Sequence, residues 1–319
     1  MMTKKKVPVV LAKILGVFFL FLACVLLRPA PAFAAVPDLD AEITARNVLS
    51  LLKAYDTDGY YLVKEGNNYK GNYMAWFSEN ERIVDRIGTA VHEQCHRCMH
   101  ATYAWEQLYY RGNKKYFTVD WTEVFGTKEI AASVPKACRV FRYKTYVSEA
   151  SSNSCSNING VYGLLNEFTA YCWEMNNCNK LFAYYEQFPA TMDTWYRYIN
   201  DGANGRQAYS EFKSFILHYL YYAQKKHPAI YRGIMKNKSF RTAFKYLDAK
   251  FRKNILQYNA NLKKILKLMK AAKHNAYIDE DGNFFSDDGG TSLFQKEYKA
   301  ILKVTKQAKY QKIYEKLLA

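Results

Sequence analysis

The segment from Val91 to His96 reads V-H-E-Q-C-H and contains the pattern H-E-x-x-H, flanked by apolar residues at helical spacing. On a helix, residues four apart lie one turn apart on the same face, so His92 and His96 can bind one Zn²⁺ through their imidazoles. Glu93 then faces the open coordination position, where the metal lowers the pKa of a bound water and the carboxylate accepts its proton. The spacing predicts metal-assisted hydrolysis, although this short pattern also arises by chance on amphipathic helices.

A catalytic zinc ion normally has three protein ligands, so the motif needs a further partner. His100 is the adjacent candidate, but on a straight helix it lies about 12 Å from His92 and cannot bind the same ion. Glu167 is favoured, because its apolar neighbours would make an unpaired carboxylate costly. Glu174 is a rival seven residues later, on nearly the same helical face. Tyr171 is either an outer donor to this site or a core residue.

Glu167 follows Asn166 in a second helical segment that begins well downstream of the first motif. The arrangement resembles the gluzincin group of zincin metallopeptidases, whose third ligand is a Glu on a downstream helix. The resemblance rests on residues 92–96 and 166–170 only. It implies zinc as cofactor, a protein or peptide substrate, and an active-site helix packed under a small sheet. The implied ligands are His92, His96 and Glu167, with Glu93 as the catalytic base.

The elements that must position these residues are mostly helices, and the predicted fold class is α+β, mainly α-helical. Helical periodicity covers residues 38–55, 78–110 and 164–176 and most of the chain after 205. Strands are predicted at 116–119 and 139–146, short strands and loops at 59–73, and a hairpin at 278–285. A helical catalytic region with a small sheet follows from this pattern.

The first 34 residues have the pattern of a secretory signal peptide. They open with a lysine cluster, continue as an apolar run to Leu27 and close on Pro-Ala-Phe-Ala-Ala at 31–35. An uncleaved membrane anchor and a lipoprotein box at Cys24 are the alternatives. The predicted organisation is therefore a signal peptide at 1–34, a zincin-like catalytic region at 35–200 and a basic helical region at 201–319. A secreted or cell-surface protein is expected.

Six cysteines remain after residue 34, and an even number in an exported chain predicts up to three disulfides. Their pairing is not readable from the sequence. The spacing of Cys95 and Cys98 also suits a thiolate metal site, which is the competing interpretation.

The chain is strongly basic, with a formal charge of +17 that falls by five, to +12, without the first 34 residues. Residues 212–274 carry sixteen Lys or Arg and a single acid, Asp248. Around 262–273 the lysines and the apolar residues form two separate stripes, which is typical either of a bundle helix with a solvated face or of a helix that contacts an anionic surface or membrane. The alternative function is thus a non-catalytic secreted protein that binds an anionic surface polymer or membrane. No specific nucleic acid is expected as partner.

Overall fold

The structure is a computed structural model that describes residues 36–69, 71–99 and 106–319. Helices make up 69% of it. Together with two small antiparallel sheets, this confirms the predicted α+β, mainly helical class. The predicted signal peptide and His100 lie outside the described residues. The helices are α1 (Ala45–Tyr55), α2 (Thr57–Asn68), α3 (Ile83–Met99), α4 (Cys155–Ile158), α5 (Gly160–Tyr185), α6 (Met192–Lys226), α7 (Pro228–Lys236), α8 (Lys238–Ala271), α9 (Gln295–Thr305) and α10 (Ala308–Leu318).

Helix α5 lies at the centre of the fold, with α3, α6 and α8 packed against it. Most of its residues are buried, so it has no broad polar face of the kind a surface helix shows. Its aromatic side chains carry much of the core: Phe168 packs against Phe244 and Phe251 of α8, with ring centroids 6.3 and 5.0 Å away. A helix surrounded in this way holds its side chains in fixed positions, and it is the helix that carries Glu167.

The two-stranded sheet is a hairpin of β1 (Glu106–Gly112) and β2 (Lys115–Asp120), which includes the predicted strand at 116–119. Its turn residues Asn113 and Lys114 both have positive φ, as a two-residue hairpin turn with the twist of the strands requires. Trp173 of α5 donates from Nε1 to the Tyr110 carbonyl at 3.0 Å. The hairpin packs on α3, and it is anchored to the central helix as well.

A second sheet forms near the carboxyl end, from β3 (Tyr277–Ile278), β4 (Asn283–Ser286) and β5 (Gly289–Ser292). The antiparallel pair β3 and β4 is the hairpin predicted at 278–285. The Asp279 carboxylate accepts from the backbone N–H of Asn283 at 2.7 Å, so this acid stabilises the turn.

Three sequence predictions of local structure were wrong. Residues 59–73 begin with helix α2 instead of strands, because Gly66 allows α2 to lie directly against Gln94 of α3. The strand expected at 139–146 is irregular and ends in a π-helical turn at Lys144–Ser148, since the backbone N–H of Arg142 bonds to the Glu211 side chain at 2.8 Å instead of to a strand. The helix expected at 78–110 ends at Met99, and β1 occupies its last part.

The expected disulfides are not found, because the six cysteines of the described chain are free thiols. They contact other groups: the Cys98 thiol donates to the Leu62 carbonyl at 3.6 Å and that of Cys178 to the Tyr198 carbonyl at 3.5 Å. Burial raises the pKa of Cys98 and Cys172 to about 12, which keeps both thiols protonated and poorly reactive.

Residues 37–319 form one compact unit. Helix α6 runs without a break across residue 200, where the sequence suggested that a catalytic region gives way to a basic helical region. Among the helices of the described residues, none combines the length and the apolar character needed to cross a membrane.

The crossing of α6 and α8 gives a test of the packing. Gly202 of α6 lies against the Tyr258 ring, and a Cβ at this position would overlap it. We expect Gly202→Ala to lower the free energy of unfolding by about 1–3 kcal/mol, because the ring is fully buried and cannot move aside. Urea unfolding followed by circular dichroism measures the change.

Gly233→Ala is the control, since its new methyl group would have no neighbour closer than 3.7 Å. It should be neutral or stabilising by up to about 1 kcal/mol. Equal effects of the two changes would contradict this account of the packing.

Candidate metal centre

Helix α3 presents both histidines of the motif to the same side. Its apolar residues Ile83, Ile87 and Val91 are buried along one face, which fixes the rotation of the helix. The rings of His92 and His96 meet edge to face with centroids 4.7 Å apart, and their Nε2 atoms are 3.0 Å apart. The helical spacing therefore brings the two imidazoles together as predicted.

Glu167 of α5 completes the cluster. Its Oε2 atom lies 3.4 Å from His96 Nε2 and 3.9 Å from His92 Nε2. Ligand atoms around a tetrahedral zinc ion with bonds of about 2.0–2.1 Å are separated by about 3.3–3.4 Å. The three observed separations, from 3.0 to 3.9 Å, are close to this value. Among the described residues, this is the one group of His, Cys, Asp and Glu found with atoms converging as metal ligands do.

The outer nitrogens of both imidazoles are held by acceptors from the same helix. His92 Nδ1 lies 2.9 Å from Glu174 Oε2, and His96 Nδ1 lies 2.5 Å from Asn166 Oδ1. A carboxylate and an amide oxygen accept hydrogen bonds, so both Nδ1 atoms are placed to donate, and both Nε2 atoms face each other and Glu167. Metal-binding histidines are oriented in this way by partners behind them.

The inner atoms of the three side chains meet at one point. The two Nε2 atoms lie within hydrogen-bond distance of each other, and Glu167 Oε2 lies within ion-pair distance of both. A carboxylate in this setting is costly unless a positive charge lies beside it. Burial alone would lower the pKa of His96, but the charge of Glu167 raises it above its usual value. The residues present thus fit a divalent metal ion.

Glu174 lies behind His92, on the side away from Nε2, and does not join the convergent group. The sequence left Glu167 and Glu174 as rivals, and the structure gives each a separate contact with the motif. The role of Asn166 went unrecognised in the sequence. Asn166 directly precedes Glu167, and this position could have pointed to it, because adjacent residues of one helix can contact the two nitrogens of the same imidazole.

Tyr146, Tyr171 and Arg142 lie side by side next to the cluster, and we refer to these three residues as the aromatic wall. The Tyr171 ring meets the His92 ring edge to face at 4.4 Å, and the Arg142 guanidinium lies over Tyr171 at 4.4 Å from its centroid. Arg142 pairs with Glu211 at 2.7 Å, an ion pair that is itself buried. Tyr146 is close enough to Glu167 and Tyr171 that its hydroxyl acts to lower the pKa of both. Burial raises the pKa of both tyrosines, so each keeps its hydroxyl proton at neutral pH.

No sequence pattern identified Tyr146 or Arg142. Both belong to the irregular segment that was predicted as a strand, and their contacts with α5 arise only from tertiary packing. Tyr146 lies within the π-helical turn, a feature that is frequent at functional sites. Tyr171 is both a packing residue and a neighbour of the candidate metal ligands.

Glu93 is half-buried on α3, between the two ligands in sequence, and its charge contributes to the raised pKa of His96. The residues that follow α3, 100–105, are outside the described chain. Cys95 and Cys98 are buried on the same helix and do not join the cluster of metal-binding atoms, so the alternative of a thiolate site finds no support in the described residues.

Helix α8 contains most of the basic segment at 212–274. Its apolar stripe is in the core, where Leu262, Ile265 and Met269 are buried, while Lys263 and Lys267 face solvent. The apolar face is therefore not available for insertion into a membrane, and only an electrostatic contact through the lysines remains open.

No family model, curated protein or solved structure matches this chain. Function has to be inferred from the geometry of the site itself.

The two acids of α5 give a test of the cluster. We expect Glu167→Ala to abolish stoichiometric zinc binding, because two imidazoles from one helix are an incomplete ligand set. Glu174→Ala should keep the site but weaken zinc about 10- to 100-fold, since His92 loses the partner that orients it. Zinc content after dialysis against a graded chelator measures both.

Glu186→Ala is the matched control, because this acid lies at the exposed end of the same helix. It should bind zinc as the unaltered chain does. Full zinc occupancy in Glu167→Ala would show that the third ligand lies elsewhere.

Proposed function

We propose that this chain is an exported zinc metallopeptidase with a gluzincin-like ligand set of His92, His96 and Glu167. One observation supports the proposal above others. The three candidate ligand atoms converge at separations close to those around a tetrahedral ion, and each imidazole has an oxygen acceptor behind its Nδ1 atom.

Zinc is the metal that we infer. Two imidazoles and one carboxylate form a ligand set found in catalytic zinc sites, in which three protein ligands leave one position open. Ferrous iron also binds two histidines and a carboxylate. The motif supplies a glutamate next to the ligands, which a hydrolytic zinc site uses as its base and an iron oxygenase site does not require.

Zinc in this site would supply an activated water by lowering its pKa. Glu93 would accept the proton of that water and pass it to the amine that leaves when the peptide bond breaks. Tyr146 and Tyr171 remain protonated, and they are therefore hydrogen-bond donors next to the ligands. Arg142, held by Glu211, fixes the ring of Tyr171 beside His92. The aromatic wall thus orients the ligands and keeps water away from their inner side.

The zincin-like arrangement belongs to the same proposal. Its active-site helix would be α3, and the covering sheet would be the β1–β2 hairpin that packs on it. Export would follow from the signal peptide inferred at residues 1–34. Protein or peptide substrates are the expected partners.

Glu93→Gln separates catalysis from metal binding. The amide keeps the shape of the side chain but cannot accept the proton of water, so we expect zinc to stay bound while peptide hydrolysis falls about 10²- to 10⁴-fold. Cleavage of a quenched fluorescent peptide library, together with zinc content by mass spectrometry, measures both quantities.

The matched control is Glu123→Gln, which makes the same change at an exposed position outside the cluster. It should leave zinc and hydrolysis unchanged. If Glu93→Gln keeps full activity, Glu93 is not the base. An unaltered chain that binds no metal and cleaves no peptide would favour the alternative of a non-catalytic binding protein.

A further inference from the structure

A lysine-lined cleft lies between the end of α6, helix α7 and helix α10, and it shares no residue with the metal centre. Its volume is about 630 Å³, within the range of about 300–1,000 Å³ that is usual for small-molecule sites. Four lysines line it: Lys225, Lys309, Lys312 and Lys316. We refer to it as the lysine cleft.

The charge of the lysine cleft is poorly balanced. Among the described residues that line it, Glu315 is the single acidic side chain. None of the four lysines has a carboxylate within ion-pair distance in the described chain. Lys225 and Lys309 lie over the Tyr221 ring, at 5.9 and 5.1 Å from its centroid. Several ammonium groups without counter-charges around one concavity produce a local positive potential that attracts anions.

A second observation concerns Tyr231, which lines the same cleft. The residue is 9% exposed, and its hydroxyl is buried without a hydrogen-bond partner among the described groups. A buried hydroxyl left in this state lowers stability, and most native structures pair it. The hydroxyl oxygen has almost no exposed surface, so an acceptor in the cleft would pair with it after the side chains that cover it move aside.

The type of cation indicates the type of anion. The cations among the described residues that line the cleft are all lysines. Arginine binds planar carboxylates through two parallel bonds, whereas lysine acts as a point charge and is a common phosphate ligand. The volume suits an anion with more than one charged group better than a single small ion. We propose that the lysine cleft binds neighbouring phosphate groups of a phosphodiester or polyphosphate chain, with the Tyr231 hydroxyl as an additional donor.

The test is calorimetric titration of the full chain with inorganic tripolyphosphate at low ionic strength. We expect one binding site, and an affinity that the pair Lys312→Gln and Lys316→Gln lowers at least about tenfold, because charge-assisted hydrogen bonds are lost. The matched control is Lys263→Gln with Lys267→Gln, an exposed pair at the same helical spacing on α8. It removes the same charge and should change the affinity less than twofold.

Tyr231→Phe gives an independent measure. It should weaken tripolyphosphate binding severalfold while leaving the urea unfolding midpoint unchanged or higher, since the hydroxyl has no partner in the free protein. A purely structural hydroxyl would show the opposite pattern, with stability lost and affinity kept.

Vesicles distinguish the source of the phosphate. If the protein ignores tripolyphosphate but binds phosphatidylglycerol vesicles in a manner that only the Lys312 and Lys316 pair abolishes, the cleft binds lipid headgroups. Equal losses from both lysine pairs would mean that net charge alone attracts the anion, and the proposal fails. It also fails if citrate binds as tightly as tripolyphosphate, or if neither phosphate source binds.

Discussion

The site depends on the placement of one carboxylate beside two imidazoles. In a low-dielectric interior the charge of Glu167 is costly unless a positive charge lies beside it, and it raises the pKa of His96. Glu174 and Asn166 contact the outer nitrogens, so both Nε2 atoms face Glu167. A fold that holds these three atoms together favours a positive charge among them, which a proton or a metal ion supplies.

Two helices supply all the atoms involved. Helix α3 contributes the histidines at a spacing of one turn, and α5 contributes the facing carboxylate together with both outer acceptors. Because α5 is buried on nearly every side, its rotation and position along its axis are set by core packing. The precision of the site is therefore a property of the core, and an ion bound there would join α3 to α5 in return.

The sequence predicted much of the helical content and the three residues that the structure brings together. His92, His96 and Glu167 could be selected because helical spacing and an apolar setting are local properties of the chain, while the role of Glu93 stays a prediction. The wall of Tyr146 and Arg142 could not, since it forms only when an irregular segment packs against α5 and α6. The misassigned strand at 139–146 has the same origin: a buried ion pair with Glu211 determines the backbone there, against its local β propensity.

The free thiols would have a kinetic consequence if the chain is exported as proposed. Cys95, Cys98, Cys172 and Cys178 are enclosed by the helices that pack around them. Once those helices are in place, oxidants have no access to the sulfur atoms, and exchange with other thiols stops as well. In an exported chain, any wrong pairings among these four cysteines would therefore form before folding is complete.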